Sequence, residues 1–264
     1  AQALERLTKA AEAGQDCAQY ALGKIYRDGQ GVEKDIQKAV ALFTLAATKE
    51  NSFAAFALGK LYLAGDAALP RDPAAALKWL TYAAELGNQF AQYRLGKLLL
   101  KGDDGIPKDV ITAIRWLTAA AKQENGYAEY VLALVYLTGE DAPKDSVKAL
   151  SLLKRSAGRG NQFAQYRLGK LLLQGEDAPK DVKAAIRWLT AAAEQGNQYA
   201  QYALGKLYLL GKEVPKDRSS AIKWFQLAAD QGNEYAQYFL KHMDDRLGQP
   251  PVAAVISLFH HLAN

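Results

Sequence analysis

The sequence has almost none of the residues that usually carry chemistry. There is one cysteine, Cys17, so no disulfide framework can form within the chain. It falls near a helix start with no histidine close in sequence, which reads as an inert thiol. Histidine is limited to His242, His260 and His261. A metal centre needs more ligands converging than that, so these histidines read as surface or cap residues and no cofactor is expected. Walker loops, GxSxG, HExxH and dinucleotide glycine patterns are all missing. Without a catalytic constellation, the chain reads as not an enzyme. No apolar run reaches membrane-spanning length and no signal peptide is visible, so a soluble, cytoplasmic monomer is expected. The net charge of +5 is mild for 264 residues. It suits an acidic partner but does not by itself mark a nucleic-acid binder.

What the sequence has is repetition. The stretch 197–217, NQYAQYALGKLYLLGKEVPKD, contains the core Ala-x-x-x-Leu-Gly-x-x-Tyr starting at Ala200, and related cores start at Ala18, Ala54, Ala91, Ala128, Ala164 and Ala236. The steps between them are 36, 37, 37, 36, 36 and 36 residues. A fixed period in this range marks a solenoid of stacked supersecondary units. Each unit reads as helix, turn, helix, turn. In the first helix Ala200, Leu204, Leu207 and Tyr208 share one face of a 3.6-residue period. A glycine after the leucine (Gly23, Gly59, Gly96, Gly169, Gly205) costs about 1 kcal/mol relative to alanine inside a helix; close approach of the partner helix is the expected compensation. Gly211 and its counterparts should end the first helix, and the aspartate of each Pro-Lys-Asp should cap the second. The second helix carries Ala221, Trp224, Ala228 and Ala229, again on one face, and Asn233 is placed to cap the next unit.

The whole chain, 1–264, is therefore expected to form one array. Residues 1–14 align with a second helix and are a partial repeat or an N-terminal cap, within a fragment of a longer protein or at its start. Residues 17–249 hold the repeat units, and 250–264, where Val255, Leu258, Phe259 and Leu262 keep helical spacing, form a C-terminal capping helix.

The A-x-x-x-L-G-x-x-Y, G, P-x-D, A-x-x-W and A-A-x-x-G elements, in register over multiple copies, resemble those of the Sel-1-like repeat family, relatives of the tetratricopeptide repeats. The resemblance implies an all-α, right-handed superhelical α-solenoid of antiparallel helix pairs. First helices would line its concave side, and its usual role is adaptor or scaffold. Glu50 and Glu124 stand where the closing glycine is expected, which puts the regularity of those two turns in question. The last segment, PPVAAVISLFHHLAN, also resembles the end of Sel-1-like tails on bacterial relaxases, the mobilisation proteins of conjugative elements.

Advancing about 100° per residue from the repeat alanine leaves one face of the first helix outside the packed stripe. The column before the alanine reads Cys17, Phe53, Phe90, Tyr127, Phe163, Tyr199 and Tyr235. Two places after it stand Tyr20, Phe56, Tyr93, Tyr130, Tyr166, Tyr202 and Tyr238; six places after, Lys24, Lys60, Lys97, Leu134, Lys170, Lys206 and His242. Nine places after, Leu63, Leu100, Leu137, Leu173 and Leu209 dominate. Arg94 and Arg167 could stack on the neighbouring tyrosines. This composition suits a peptide-binding groove in which aromatics supply apolar contact and lysines select carboxylates or phosphates. The alternative is that the aromatics pack between successive first helices and the lysines only face solvent. A second functional reading is a nucleic-acid-associated accessory domain whose lysines contact phosphates. The interleaved aspartates and glutamates rank it below a protein or peptide partner of acidic character.

Overall fold

The computed structural model describes residues 2–102 and 105–242. The expected capping helix 250–264, with His260 and His261, lies outside them. Among the described residues there are fourteen α-helices, and Asp66 and Leu69 form a β-bridge. First helices are α2 (Asp16–Asp28), α4 (Ser52–Ala64), α6 (Gln89–Lys101), α8 (Gly126–Thr138), α10 (Gln162–Gln174), α12 (Gln198–Leu210) and α14 (Glu234–His242). Second helices are α1 (Gln2–Glu12), α3 (Ile36–Ala47), α5 (Pro73–Glu85), α7 (Val110–Lys122), α9 (Ser146–Gly158), α11 (Val182–Glu194) and α13 (Arg218–Asp230). The fold is an all-α solenoid of helix pairs. None of the helices described is long and apolar enough to cross a membrane.

The chain divides into two compact units, 1–152 and 153–264. In the first, α2 packs on α3, α4 on α5 and α6 on α7, and each pair packs on the next through α3–α4, α5–α6 and α7–α8. In the second, α10 packs on α11 and α12 on α13, joined through α11–α12 and α13–α14.

Caps define the elements. The side chains of Asp35, Asp72, Asp109, Asp181 and Asp217 each accept a hydrogen bond from the backbone N–H three residues on, and Asp145 does the same for Lys148. Asn51, Asn88, Asn125, Asn161, Asn197 and Asn233 cap the first helices in the same way. These bonds satisfy N–H groups that a helix start leaves without partners. Of the glycines that end the first helices, Gly29, Gly139, Gly175 and Gly211 adopt the left-handed conformation. Gly65 and Gly102, which open the two turns with an extra residue, keep positive φ but swing to ψ 163° and 116°. The extra length is absorbed there, with Ile106 tucked into the core.

Glu50 and Glu124 do not disturb their turns. Their φ values, 63° and 66°, keep the left-handed geometry that Gly87, Gly160 and Gly196 adopt at the equivalent place. The neighbouring caps impose the turn, and the non-glycine residue bears the strain.

The recurrent glycine of the first helix does meet its partner helix. A Cβ on Gly59, Gly96 or Gly169 would come within 2.6–2.7 Å of the Cγ of Leu80, Leu117 or Leu189, and one on Gly23 or Gly205 within 2.7 Å of the ring of Phe43 or Phe225. The residue filling this contact is the one after the tryptophan position, not the tryptophan itself. Leu80, Leu117, Leu189 and Phe225 are fully buried, whereas Trp79, Trp116, Trp188 and Trp224 are half-buried at the stripe's edge. Each tryptophan lies under the cation of the preceding residue: Lys78, Arg115, Arg187 or Lys223.

Candidate functional site

The first helices present the columns expected from the sequence, but the two aromatic stripes are not separate. Within each unit, the ring two places after the repeat alanine packs on the ring before the alanine of the next repeat. In the first unit these rungs are Tyr20 with Phe53, Phe56 with Phe90 and Tyr93 with Tyr127, at centroid separations of 6.2, 6.4 and 5.9 Å. In the second they are Tyr166 with Tyr199 and Tyr202 with Tyr235, both at 6.0 Å. Each rung bridges successive first helices and buries one ring more than the other. The inner members Tyr20, Phe56, Tyr93 and Tyr166 are half-buried and Tyr202 is buried; Tyr130, in the same column, is half-buried. The outer members stay open: Phe53 is 51%, Phe90 48%, Tyr127 56% and Tyr199 54% exposed, and Phe163, in the same column, is 45% exposed. Tyr235 and Tyr238 are half-buried, the latter against His242 at 4.1 Å.

Lysines cover the inner rings. Lys24, Lys60, Lys97 and Lys170 hold their ammonium groups 5.7, 4.8, 5.7 and 5.8 Å from the ring centres of Tyr20, Phe56, Tyr93 and Tyr166, one helical turn earlier. Such contacts favour the cation over the π face. Burial, together with nearby arginines, lowers the pKa of Lys60 (Arg27 and Arg94) and Lys170 (Arg167). Lys206 falls furthest, to about 8, through burial first and then the charges of Lys170 and Lys212. The phenol of Tyr202 is pushed up to about 12, chiefly by burial. Arg94 is exposed, while Arg167 is half-buried with its Nε lacking a hydrogen-bond partner. Of the aliphatic column, Leu137 is buried and Leu63, Leu100, Leu173 and Leu209 are partly buried.

In the second unit this face closes into a pocket of about 530 Å³ between α10, α12 and α14, lined among others by Tyr166, Lys170, Tyr199, Tyr202, Lys206 and Tyr235. It collects the predicted tyrosines and lysines of three successive repeats. Leu173 reaches it, but its remaining apolar wall comes from Leu207 and Leu210, not Leu209.

A glutamine ladder alongside was not anticipated. One place after the alanine, Gln19, Gln92, Gln165, Gln201 and Gln237 donate to the carbonyls of Ala11, Ala84, Ala157, Ala193 and Ala229, near the end of the preceding second helix. Three of them accept from the next turn's glutamine: Gln92 from Gln123, Gln165 from Gln195 and Gln201 from Gln231. Recurrence of glutamine at a buried helical position was the available signal. These bonds tie each of these first helices to the end of the preceding second helix and, at Gln92, Gln165 and Gln201, to the turn that leads into the next first helix.

Six consecutive stretches, 18–51, 52–88, 89–125, 126–161, 162–197 and 198–233, match the family model described as Sel1 repeat. Among solved structures the chain is similar to c5321, described as a protective antigen present in uropathogenic Escherichia coli strains and displaying an SLR fold. The two share 35% identity over 94% of this chain and 53% of that one, with a TM-score of 0.82. This chain therefore spans about half the length of the E. coli protein. A Sel1 repeat protein from Oxalobacter formigenes is similar at 34% identity, over 90% of this chain and 68% of the other, with a TM-score of 0.81. A search of curated proteins gave no match.

Proposed function

The chain belongs to the Sel1 repeat family, and we propose that it is a non-catalytic protein-interaction scaffold that receives a peptide segment of a partner on the first-helix face. The observation that carries this reading is the row of open outer rings, each about half exposed although its inner neighbour is covered. Packing between repeats accounts for the inner rings. It does not call for a large aromatic on the solvent side of every rung, where a small residue would complete the helix as well. A repeated, partly exposed apolar surface rimmed by cations is the form a binding site takes. Rings of this kind supply large contact areas at low entropy cost. The lysines give the face a preference for acidic segments.

Panning a displayed random-peptide library over the array and over its Tyr127→Ala/Tyr199→Ala variant tests the reading. The wild-type array is expected to enrich peptides that the variant fails to retain, while the two melt within about 2 °C of each other. Retention of the same peptides by the variant overturns the assignment of the face. If the array instead binds single-stranded oligonucleotides with a steep salt dependence, the lysines act on phosphates and the nucleic-acid reading replaces it.

A further inference from the structure

The pocket of the second unit has a composition that narrows what enters it. Four tyrosines, Tyr166, Tyr199, Tyr202 and Tyr235, and the leucines Leu173, Leu207 and Leu210 give it carbon walls. Lys170, Lys206 and Lys212 bring three ammonium groups to it, against Glu213 and Glu234. Glu213 is already committed, accepting from Lys180 at 2.8 Å. Tyr202 is 9% exposed, and its hydroxyl is buried without a hydrogen-bond partner. A cavity with three ammonium groups against two carboxylates, and with apolar walls, is complementary to an acceptor that carries negative charge next to a hydrophobic group.

We infer that this pocket takes a bulky apolar side chain adjacent to a carboxylate, the apolar group seated among the tyrosine rings and the carboxylate held by Lys206 and Lys170. The inference rests on the scaffold reading and specifies the ligand of that face at this place.

Binding of this kind is linked to protons. The titratable groups that line the pocket with Lys206 are Lys170 and Tyr166 on α10, Tyr199 and Tyr202 on its own helix, Lys212 and Glu213 in the following turn, and Glu234 and Tyr235 at the start of α14. In the free protein burial and the two flanking lysines hold Lys206 down to about 8. A bound carboxylate favours the charged amine and returns its pKa toward the ordinary value near 10.5. Below pH 8 the amine is protonated in both states and affinity is flat. Above pH 8 binding must take up a proton, so affinity falls, by about tenfold between pH 7 and pH 9.

The probes are acetyl-Gly-Glu-Phe-Glu-Gly-amide, the same peptide with glutamine for both glutamates, and the same peptide with alanine for phenylalanine, titrated calorimetrically into the full chain. The acidic phenylalanine peptide is expected to bind about tenfold more tightly than either control. Lys206→Gln should reduce it to the level of the glutamine control, abolish the pH dependence and leave the melting temperature unchanged. A further probe, acetyl-Gly-Gln-Phe with a free C-terminus, decides whether the carboxylate is a side chain or a chain end, and tight binding of either supports the inference. Binding of the glutamine peptide equal to that of both carboxylate probes, a flat pH response of the wild-type array, or no binding of any carboxylate probe at millimolar concentration overturns it. An array that ignores these probes yet still enriches displayed peptides through Tyr127 and Tyr199 keeps the scaffold reading and loses this inference. Loss of enrichment as well overturns both.

Discussion

Gly96 lies so close to Leu117 that a methyl group on its Cα would stand 2.6 Å from the leucine's Cγ. Leu117 is fully buried and the Ala113 carbonyl lies 3.1 Å from the same point, so neither helix can move aside cheaply. Gly96→Ala should therefore destabilise the array by about 1–3 kcal/mol, as overpacked cores do, despite alanine's better helix propensity. Urea unfolding of Gly96→Ala, Leu117→Ala and the double variant is expected to show a favourable coupling of about 1 kcal/mol, since the added methyl fills space the leucine vacates. Additive effects would mean that the two residues do not compete for the same volume.

Glu50 makes the opposite case. Its φ of 63° is one that a side chain disfavours. Glu50→Gly is expected to raise stability by about 1 kcal/mol, whereas Glu50→Ala, which keeps the Cβ, should not. An equal gain from both substitutions would place the effect in the charge, not in the backbone.

The aspartate caps make stability depend on acid. Hydrogen bonds from the Thr112 and Ser220 side chains and backbone N–H groups hold the carboxyls of Asp109 and Asp217 below their ordinary pKa of 3.8. A group lowered on folding stabilises the protein above its unfolded pKa and loses that contribution as pH falls through the folded value. The melting temperature should thus decline as pH drops from about 5 toward 2. The Asp109→Asn/Asp217→Asn variant, which caps without titrating, should show a shallower decline. Parallel profiles would remove these two caps from the acid response.

Inner and outer rings should respond differently to truncation. Tyr202→Ala empties a buried site and is expected to cost about 3 kcal/mol, while Tyr199→Ala, with the ring 54% exposed, should cost less than about 1 kcal/mol. Tyr202→Phe removes a buried hydroxyl that has no partner and should leave stability unchanged or raise it by about 1 kcal/mol. Chemical denaturation of the three variants checks the order, and a large loss in Tyr199→Ala would mark the outer ring as structural.

Much of this architecture was legible because it is local. Asp109 and Asn88 cap helices through bonds spanning two or three residues, and such short-range patterns survive in the sequence unchanged. The glycine signal was equally direct: a residue that helices disfavour recurs only where something occupies its missing side chain. The second helix was read one position off, with Trp224 on the packed face where Phe225 fills the core. Ala221, Phe225, Ala228 and Ala229 follow the i, i+4, i+7, i+8 rule, so the periodicity held the answer and tryptophan's size drew attention from it. Two features show in the sequence only as a recurrence or an alternative, without their partners. Joining Tyr93 to Tyr127 requires the offset between successive first helices, which no single repeat encodes. The glutamine bonds, such as Gln92 to the Ala84 carbonyl, depend on how far one helix end stands from its neighbour.

The claim on which the functional account depends is that ligands engage the outer rings of the ladder. Fluorine NMR of the array labelled with 3-fluorotyrosine, assigned by single Tyr→Phe substitutions and titrated with a peptide selected on the wild-type array, reads this directly. The account predicts that the resonances of Tyr127 or Tyr199 shift and saturate with the peptide. Tyr26 and Tyr136, whose hydroxyls accept from Lys38 and Lys148 beside the second helices, should stay in place. Shifts at Tyr26 and Tyr136 with Tyr127 and Tyr199 unmoved would contradict it.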